Sequence, residues 1–265
     1  MFTCATISLY HCNLGEVRNN LNWRVFHTTP LPIVRGWESY FSLCYTSDGE
    51  HVIVGGSGGY FCAHRSDVKA IHCSKADRHF FCTGSTDGSC KLWDDRALYN
   101  NIPVAVCTGD GYSISHIDGD SYDRYICATT VGGAITIWDS RRFSQNSLFN
   151  VQQEEAIQRG GAYSNIALKM EGQNTLEIFW RAKFSPEGTG HRYIYCGSGS
   201  GHVYIFDIMT GEVIRLFRKC KAEVQDCSWN PNDNEVISVA LCGSTSRWYC
   251  KEEGSDGLMS EVCYH

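Results

Sequence analysis

Trp93-Asp94-Asp95-Arg96 and Trp138-Asp139-Ser140-Arg141 each set a carboxylate and a guanidinium two residues apart beside a large aromatic. An arginine just past a strand end can bind a carboxylate through two parallel hydrogen bonds, in a neighbouring part of the fold or on a protein partner. Trp93, Asp94, Arg96, Trp138, Asp139 and Arg141 are therefore the candidate partner-binding residues. A histidine and an aspartate, such as His64 and Asp87, could suggest acid–base catalysis if the fold paired them, because an imidazole beside a carboxylate can move a proton. With no nucleophile placed beside them, a structural role is preferred. Gly55-Gly56-Ser57-Gly58-Gly59 could pose as a phosphate loop, yet no Gly-Lys-Ser/Thr ending follows it. Neither HExxH nor GxSxG occurs. No catalytic residue is expected.

The 15 cysteines are the most unusual count, but they are odd in number, contain no CxxC and are spread along 265 residues. Many lie in apolar, strand-like runs (Cys44, Cys82, Cys127, Cys196, Cys227), where cysteine acts as a small buried hydrophobe. Reduced core thiols, with no metal and no cofactor, are the expectation. Lysine plus arginine number 23 against 29 acidic residues, a formal charge of −6. That balance argues against nucleic acid or an anionic membrane as the main partner. No apolar run approaches ~18 residues, so a soluble, intracellular chain is expected. The 26 glycines against 5 prolines point to many tight turns.

Those candidate residues recur at a fixed place in a repeated unit. A glycine is followed five residues later by a large aromatic at Gly88/Trp93, Gly133/Trp138, Gly201/Phe206 and Gly243/Trp248, the glycines lying 45, 68 and 42 residues apart. An aspartate follows the aromatic in the first three (Asp94, Asp139, Asp207), and Tyr249 in the last. Each unit reads as three or four short strands between Gly/Asp/Asn/Pro turns. Alternation in Ala134–Trp138 and His202–Phe206 predicts one packed and one polar face. A period near 42–45 residues ending in Trp-Asp is the signature of a WD40 β-propeller. One such sheet cannot bury both faces alone, and radial stacking against neighbours does so.

The fold expectation is thus all-β: an incomplete WD40 propeller of about four full blades and two partial ones. Residues 1–62 are damaged blades, 63–143 two full blades, 144–173 a polar interblade loop, 174–252 two more blades and 253–265 a tail. Ala5–Tyr10 reads as an isolated third strand, and Glu154–Gln158 as a helical turn within the loop. The likeness to WD40 blades implies a hydrogen-bonded strut of histidine, strand Ser/Thr, turn aspartate and tryptophan, and His64, Thr83, Asp87 and Trp93 fall at the matching places. These, with Phe206, Asp207 and Trp248, are expected to be structural, the strut being incomplete in the unit where Gly132 stands in place of an aspartate.

The longer wording carries a resemblance. DGSCKLWDDR, RYICATTVGGAITIWDSRRFS, RAKFSPEGTGHRYIYCGSGSGHVYIFDIMTGEVI and EVQDCSWNPNDNEVIS, in that order, resemble the WD repeat family of the cullin-4-associated factor 11 type and its plant LEC14B-like relatives. The similarity runs from about Tyr40 to Trp248. The last unit departs from it, with Cys242 in place of an aspartate and Leu241 in place of a tryptophan. What the resemblance implies is a non-catalytic substrate receptor of a cullin-4 ubiquitin ligase in cytoplasm and nucleus. Its partners would be the damaged-DNA-binding adaptor subunit and the target proteins it recruits. A WD40 scaffold outside the ubiquitin system, a propeller hydrolase with carboxylates round its central channel, and a non-functional fragment stay open as alternatives.

Overall fold

The computed structural model describes residues 6–11, 24–30, 39–57, 64–100, 102–109, 111–142, 166–171, 178–218, 222–250 and 259–264. All its sheets are antiparallel meanders. Four are four-stranded and follow chain order. The first complete blade is β5 (Val68–Cys73), β6 (Phe80–Ser85), β7 (Ser89–Asp94) and β8 (Ala105–Thr108). The second is β9 (Ile114–Gly119), β10 (Tyr125–Thr130), β11 (Ala134–Asp139) and β12 (Ile166–Glu171). The third is β13 (Phe179–Phe184) to β16 (Val213–Arg218), through β14 (Tyr193–Ser198) and β15 (His202–Asp207). The fourth is β17 (Val224–Trp229), β18 (Glu235–Ala240), β19 (Thr245–Cys250) and β20 (Met259–Tyr264). Two further sheets have two strands among the described residues, β1 (Thr6–His11) with β2 (Arg24–Pro30), and β3 (Tyr40–Tyr45) with β4 (Val52–Gly56).

The turn between the second and third strands of each four-stranded blade closes on a glycine in the left-handed region, φ +80° to +82° at Gly88, Gly133, Gly201 and Gly243. Only glycine adopts that conformation freely, so the recurring glycine sets the strand reversal that delivers the aromatic five residues on. The core is not inside any blade but between successive blades. One apolar cluster joins β3–β4 to the first blade around Trp93, and others join first to second, second to third and third to fourth. Glycine also permits this stacking. A Cβ on Gly197 would run into the Val224 carbonyl of the next blade, and one on Gly84 into Ile114 and Ile117.

Three sequence expectations change. The segment 144–173 is not loop throughout, because Ile166–Glu171 pairs with β11 and completes the second blade. The supposed tail supplies β20, which pairs with β19. Outermost strands need little apolar content, so surrounding polar residues hid both. The helical turn at 154–158 lies outside the described residues. Alternation also misled: all of β11 is buried, as is β15 after His202. These two middle strands are covered on both faces by adjacent blades, so neither face reaches water.

The arc ends on uncovered faces. At one end Phe41, Leu43 and Tyr45 of β3 are exposed, and at the other Ile237 and Val239 of β18. The two-stranded remnants agree with the expected damage, and Thr6–His11 has a partner strand the sequence did not suggest.

A candidate protein-interaction rim

The His64 set forms a closed circuit. The Trp93 indole N–H donates to Thr83 Oγ1 at 2.7 Å, and Thr83 Oγ1 lies 2.8 Å from His64 Nε2. His64 Nδ1 faces Asp87 Oδ2 at 3.0 Å. The consistent proton assignment has Thr83 donating to Nε2 and Nδ1–H donating to Asp87. Asp87 also accepts from the Ser89 hydroxyl at 2.6 Å and from the backbone N–H of Arg65 and Ser89. Burial works to raise the Asp87 pKa, but the hydrogen bonds from His64 and Ser89 outweigh it and hold the carboxyl well below the usual range. Both ring nitrogens are used, so the set ties β6, β7 and their turn to the segment ahead of β5 and leaves no base facing a substrate.

Elsewhere the circuit varies with what the aromatic needs. Trp248 donates to Ser238 Oγ at 3.0 Å, at the position that Thr83 holds in the first blade. The second blade has Ala128 there, and Trp138 turns to the Thr108 carbonyl at 3.3 Å. Phe206 has no donor and packs edge-on to Phe179, with ring centroids 5.5 Å apart. An aspartate at Gly132 would require the exposed Tyr112 ring to move, since its Cβ would meet that ring at 2.5 Å.

The two Trp-Asp-x-Arg ends lie on one rim, where β6 and β10 begin and β7 and β11 end. Register pairs Phe80 with Asp94 and Tyr125 with Asp139 across the strands. Arg96 grips its own Asp94 through Nε and a terminal nitrogen, both at 2.8 Å, with the guanidinium 5.7 Å from the Phe80 ring centroid. Arg141 grips Asp139 at 2.8 and 2.7 Å, lies 5.6 Å from the Tyr125 ring centroid and donates to the Tyr125 hydroxyl at 3.2 Å. The carboxylate each arginine holds is thus that of its own strand end and not one in a neighbouring blade. Two residues of separation across the strand end bring Nε and one terminal nitrogen onto both oxygens. Arg96 holds the Asp94 carboxyl below its usual pKa, and Asp139 raises that of Arg141.

Two members of this row went unseen in the sequence. Met209 stands where the third blade would carry its x-Arg, and Arg192 takes the role from the other strand. It binds Asp207 at 2.9 and 2.6 Å over Tyr193. The fourth blade exchanges the strands of its pair: register sets Glu235 opposite Tyr249, and Arg247 binds Glu235 and lies over Tyr249. The lack of an aspartate after Trp248 is therefore compensated by an acid across the ladder. An arginine before an aromatic strand start was the signal available for Arg192. The four guanidinium side chains remain 46–63% exposed while their carboxylate partners are 5–17% exposed. The rim thus presents a row of fixed, planar cations.

The innermost strands carry the other polar cluster. His72 Nδ1 is 3.4 Å from Asp118 Oδ1, whose second oxygen accepts from the Phe184 backbone N–H at 2.9 Å. Lys183 Nζ donates to Asp226 at 2.5 Å and to the Cys227 carbonyl at 2.8 Å. These carboxylates are consumed by blade-to-blade contacts. Of the described cysteines, seven are buried, Cys44 is half-buried and Cys242 exposed.

Comparison with known proteins agrees with this architecture. The family model "WD domain, G-beta repeat" matches residues 55–94, the stretch holding the complete strut and the first Trp-Asp end. The chain is 31% identical over 215 residues to the "DDB1- and CUL4-associated factor 11 homolog" of Caenorhabditis elegans, covering 75% of this chain and 38% of that protein. It is 29% identical to the protein of the same name in Caenorhabditis briggsae, covering 75% and 39%. It is 30% identical over 237 residues to "LEC14B protein" of Lithospermum erythrorhizon, covering 78% and 50%. The chain therefore spans half or less of the length of these relatives. With the repeat, the four-bladed arc and the Trp-Asp ends in place, the chain is a WD40 protein of the DDB1- and CUL4-associated factor 11/LEC14B-like kind.

Proposed function

We propose that the chain is the propeller portion of a non-catalytic substrate receptor of a cullin-4 ubiquitin ligase, bound to the DDB1 adaptor through the rim of Arg96 and Arg141. The observation that carries this reading is the pre-set geometry of those guanidiniums. Each is held in one plane by its own aspartate and an aromatic face, yet stays more than half exposed. A side chain already ordered loses little further freedom on binding, which leaves more of the contact energy for affinity. The second terminal nitrogen of each guanidinium can reach a carboxylate or carbonyl of the partner. Relatives named for association with DDB1 and CUL4 support the choice of adaptor.

Adaptor pull-down and titration with Arg96→Ala and Arg141→Ala test it. Loss of a charge-assisted contact should weaken adaptor binding roughly ten- to a hundredfold per arginine. The melting temperature should move by no more than about 2–4 °C, because an exposed ion pair contributes about 0–1 kcal/mol. A well-folded double variant that binds the adaptor normally would sink the role of this rim.

A further inference from the structure

Cys44 and Cys73 meet where the two-stranded β3–β4 sheet packs on the first complete blade. Two side chains of β3 accept backbone N–H groups of β5 there, Ser42 Oγ from Ile71 at 3.2 Å and Cys44 Sγ from Cys73 at 3.4 Å. The second contact has a counterpart further along the arc, where Asp118 of β9 accepts from the backbone N–H of Phe184 of β13 at 2.9 Å. Register makes the two places equivalent. Cys44 pairs with Ile53 and Asp118 with Cys127, each two residues before the position that packs on the next blade, Gly55 and Thr129. A sulfur therefore stands where the fold elsewhere holds a carboxylate. The Cys73 thiol also donates to Cys44 Sγ, and these hydrogen bonds outweigh burial and hold the Cys44 thiol down to about 6. The same contact, with burial, pushes the Cys73 thiol up. As a thiol, Cys44 donates to the Tyr45 carbonyl at 3.5 Å, a weak contact that ionisation gives up. Cys44 is half-buried, and protein only partly fills the surroundings of both sulfurs, unlike those of Cys82, Cys90 and Cys127.

We propose that Cys44 and Cys73 are a peroxide-reactive pair that closes to a disulfide between the β3–β4 sheet and the first complete blade, with Cys44 as the attacking sulfur and Cys73 as the resolving one. The Cys44 thiolate attacks one oxygen of hydrogen peroxide. An S–O bond forms, the O–O bond breaks and hydroxide leaves, giving a sulfenic acid on Cys44. Oxidation also removes the anion to which Cys73 donated, so the contact that held the Cys73 proton is lost. That proton passes to the hydroxide as water. The Cys73 sulfur then attacks Cys44, the S–S bond forms and the S–O bond breaks. The second hydroxide takes up the proton that Cys44 gave up on ionising. In sum, the two thiols lose two electrons, one peroxide gains them, and two waters form. The pair is separate from the rim and stands whether or not the arginines bind an adaptor.

Peroxide titration of the reduced, folded chain at neutral pH tests the proposal. The remaining thiols are blocked with N-ethylmaleimide, and the chain is cut with trypsin and Glu-C without reduction and mapped by mass spectrometry. Peptides 39–50 and 70–75, which carry Cys44 and Cys73 as their sole cysteines, should appear joined before Cys82, Cys90 or Cys127 is oxidised. Cys73→Ser should abolish the joined pair and leave Cys44 as a sulfenic acid that dimedone traps. Cys44→Ser should leave residue 73 reduced under the same treatment. Cys44 left reduced by excess peroxide, Cys44 oxidised with no bridge to Cys73, or a bridge from Cys44 to another cysteine would each overturn it. The peptide map of the unsubstituted chain decides among these outcomes even if a variant fails to fold.

Discussion

Thr83→Val isolates the strut of the first blade. Valine keeps the β-branched shape and volume, so no cavity opens and strand propensity is unchanged. The substitution removes one oxygen that serves two buried groups, the Trp93 indole N–H at 2.7 Å and His64 Nε2 at 2.8 Å. Thr83 and Trp93 are fully buried and His64 nearly so. Water cannot replace the lost partners there. Each stranded group costs about 1–3 kcal/mol, so the pair should cost about 2–5 kcal/mol once the gain from a more apolar side chain is allowed. Against a typical total of about 5–15 kcal/mol, that is a large loss. Urea denaturation followed by tryptophan fluorescence and circular dichroism reads it as a lower midpoint at unchanged slope. Trp93→Phe removes the indole donor, and in the double variant the two losses should fall short of additive by about 1–2 kcal/mol. A Thr83→Val midpoint within about 0.5 kcal/mol of the parent, with the slope unchanged, would refute the strut as a stabilising element.

Gly197→Ala should cost about 3 kcal/mol or more, the upper end of overpacking, because the backbone carbonyl of Val224 cannot move aside; a melting drop of roughly 6–12 °C checks it. Burial lowers the His116 pKa from 6.5 to about 4, so between those values the unfolded chain binds more protons than the folded one. Stability should therefore fall as pH is lowered from about 6.5 to about 4, and His116→Phe should flatten that slope in denaturant melts across the range. The Cys44 thiol, hydrogen-bonded to Cys73, is held down to about 6, while Cys82, Cys90 and Cys127 are pushed up by their surroundings. Among these four, native-state alkylation at neutral pH followed by peptide mass mapping should modify Cys44 first and leave the other three intact until denaturant is added.

Spacing along the chain was enough to determine the repeat, the all-β architecture and the place of each aromatic. A glycine five residues before an aromatic is a local matter: the left-handed turn and the strand after it need no information from elsewhere. The His64–Thr83–Asp87–Trp93 set was legible through the likeness to WD40 blades, in which all four positions sit within one unit. Long-range packing decided the rest. Burial of β11 and β15 on both faces depends on blades that come before and after, and alternation within one strand carries no sign of them. Outer strands β12 and β20 pair by backbone hydrogen bonds at the periphery, where a nearly featureless sequence suffices. The rim shows the division most clearly. Asp94–Arg96 and Asp139–Arg141 can be read as a motif because both partners share one strand end. Arg192–Asp207 and Arg247–Glu235 join residues 15 and 12 positions apart. Only the ladder between neighbouring strands brings those charges onto a carboxylate at the same rim, so their correspondence appears in the folded sheet and nowhere in the linear order.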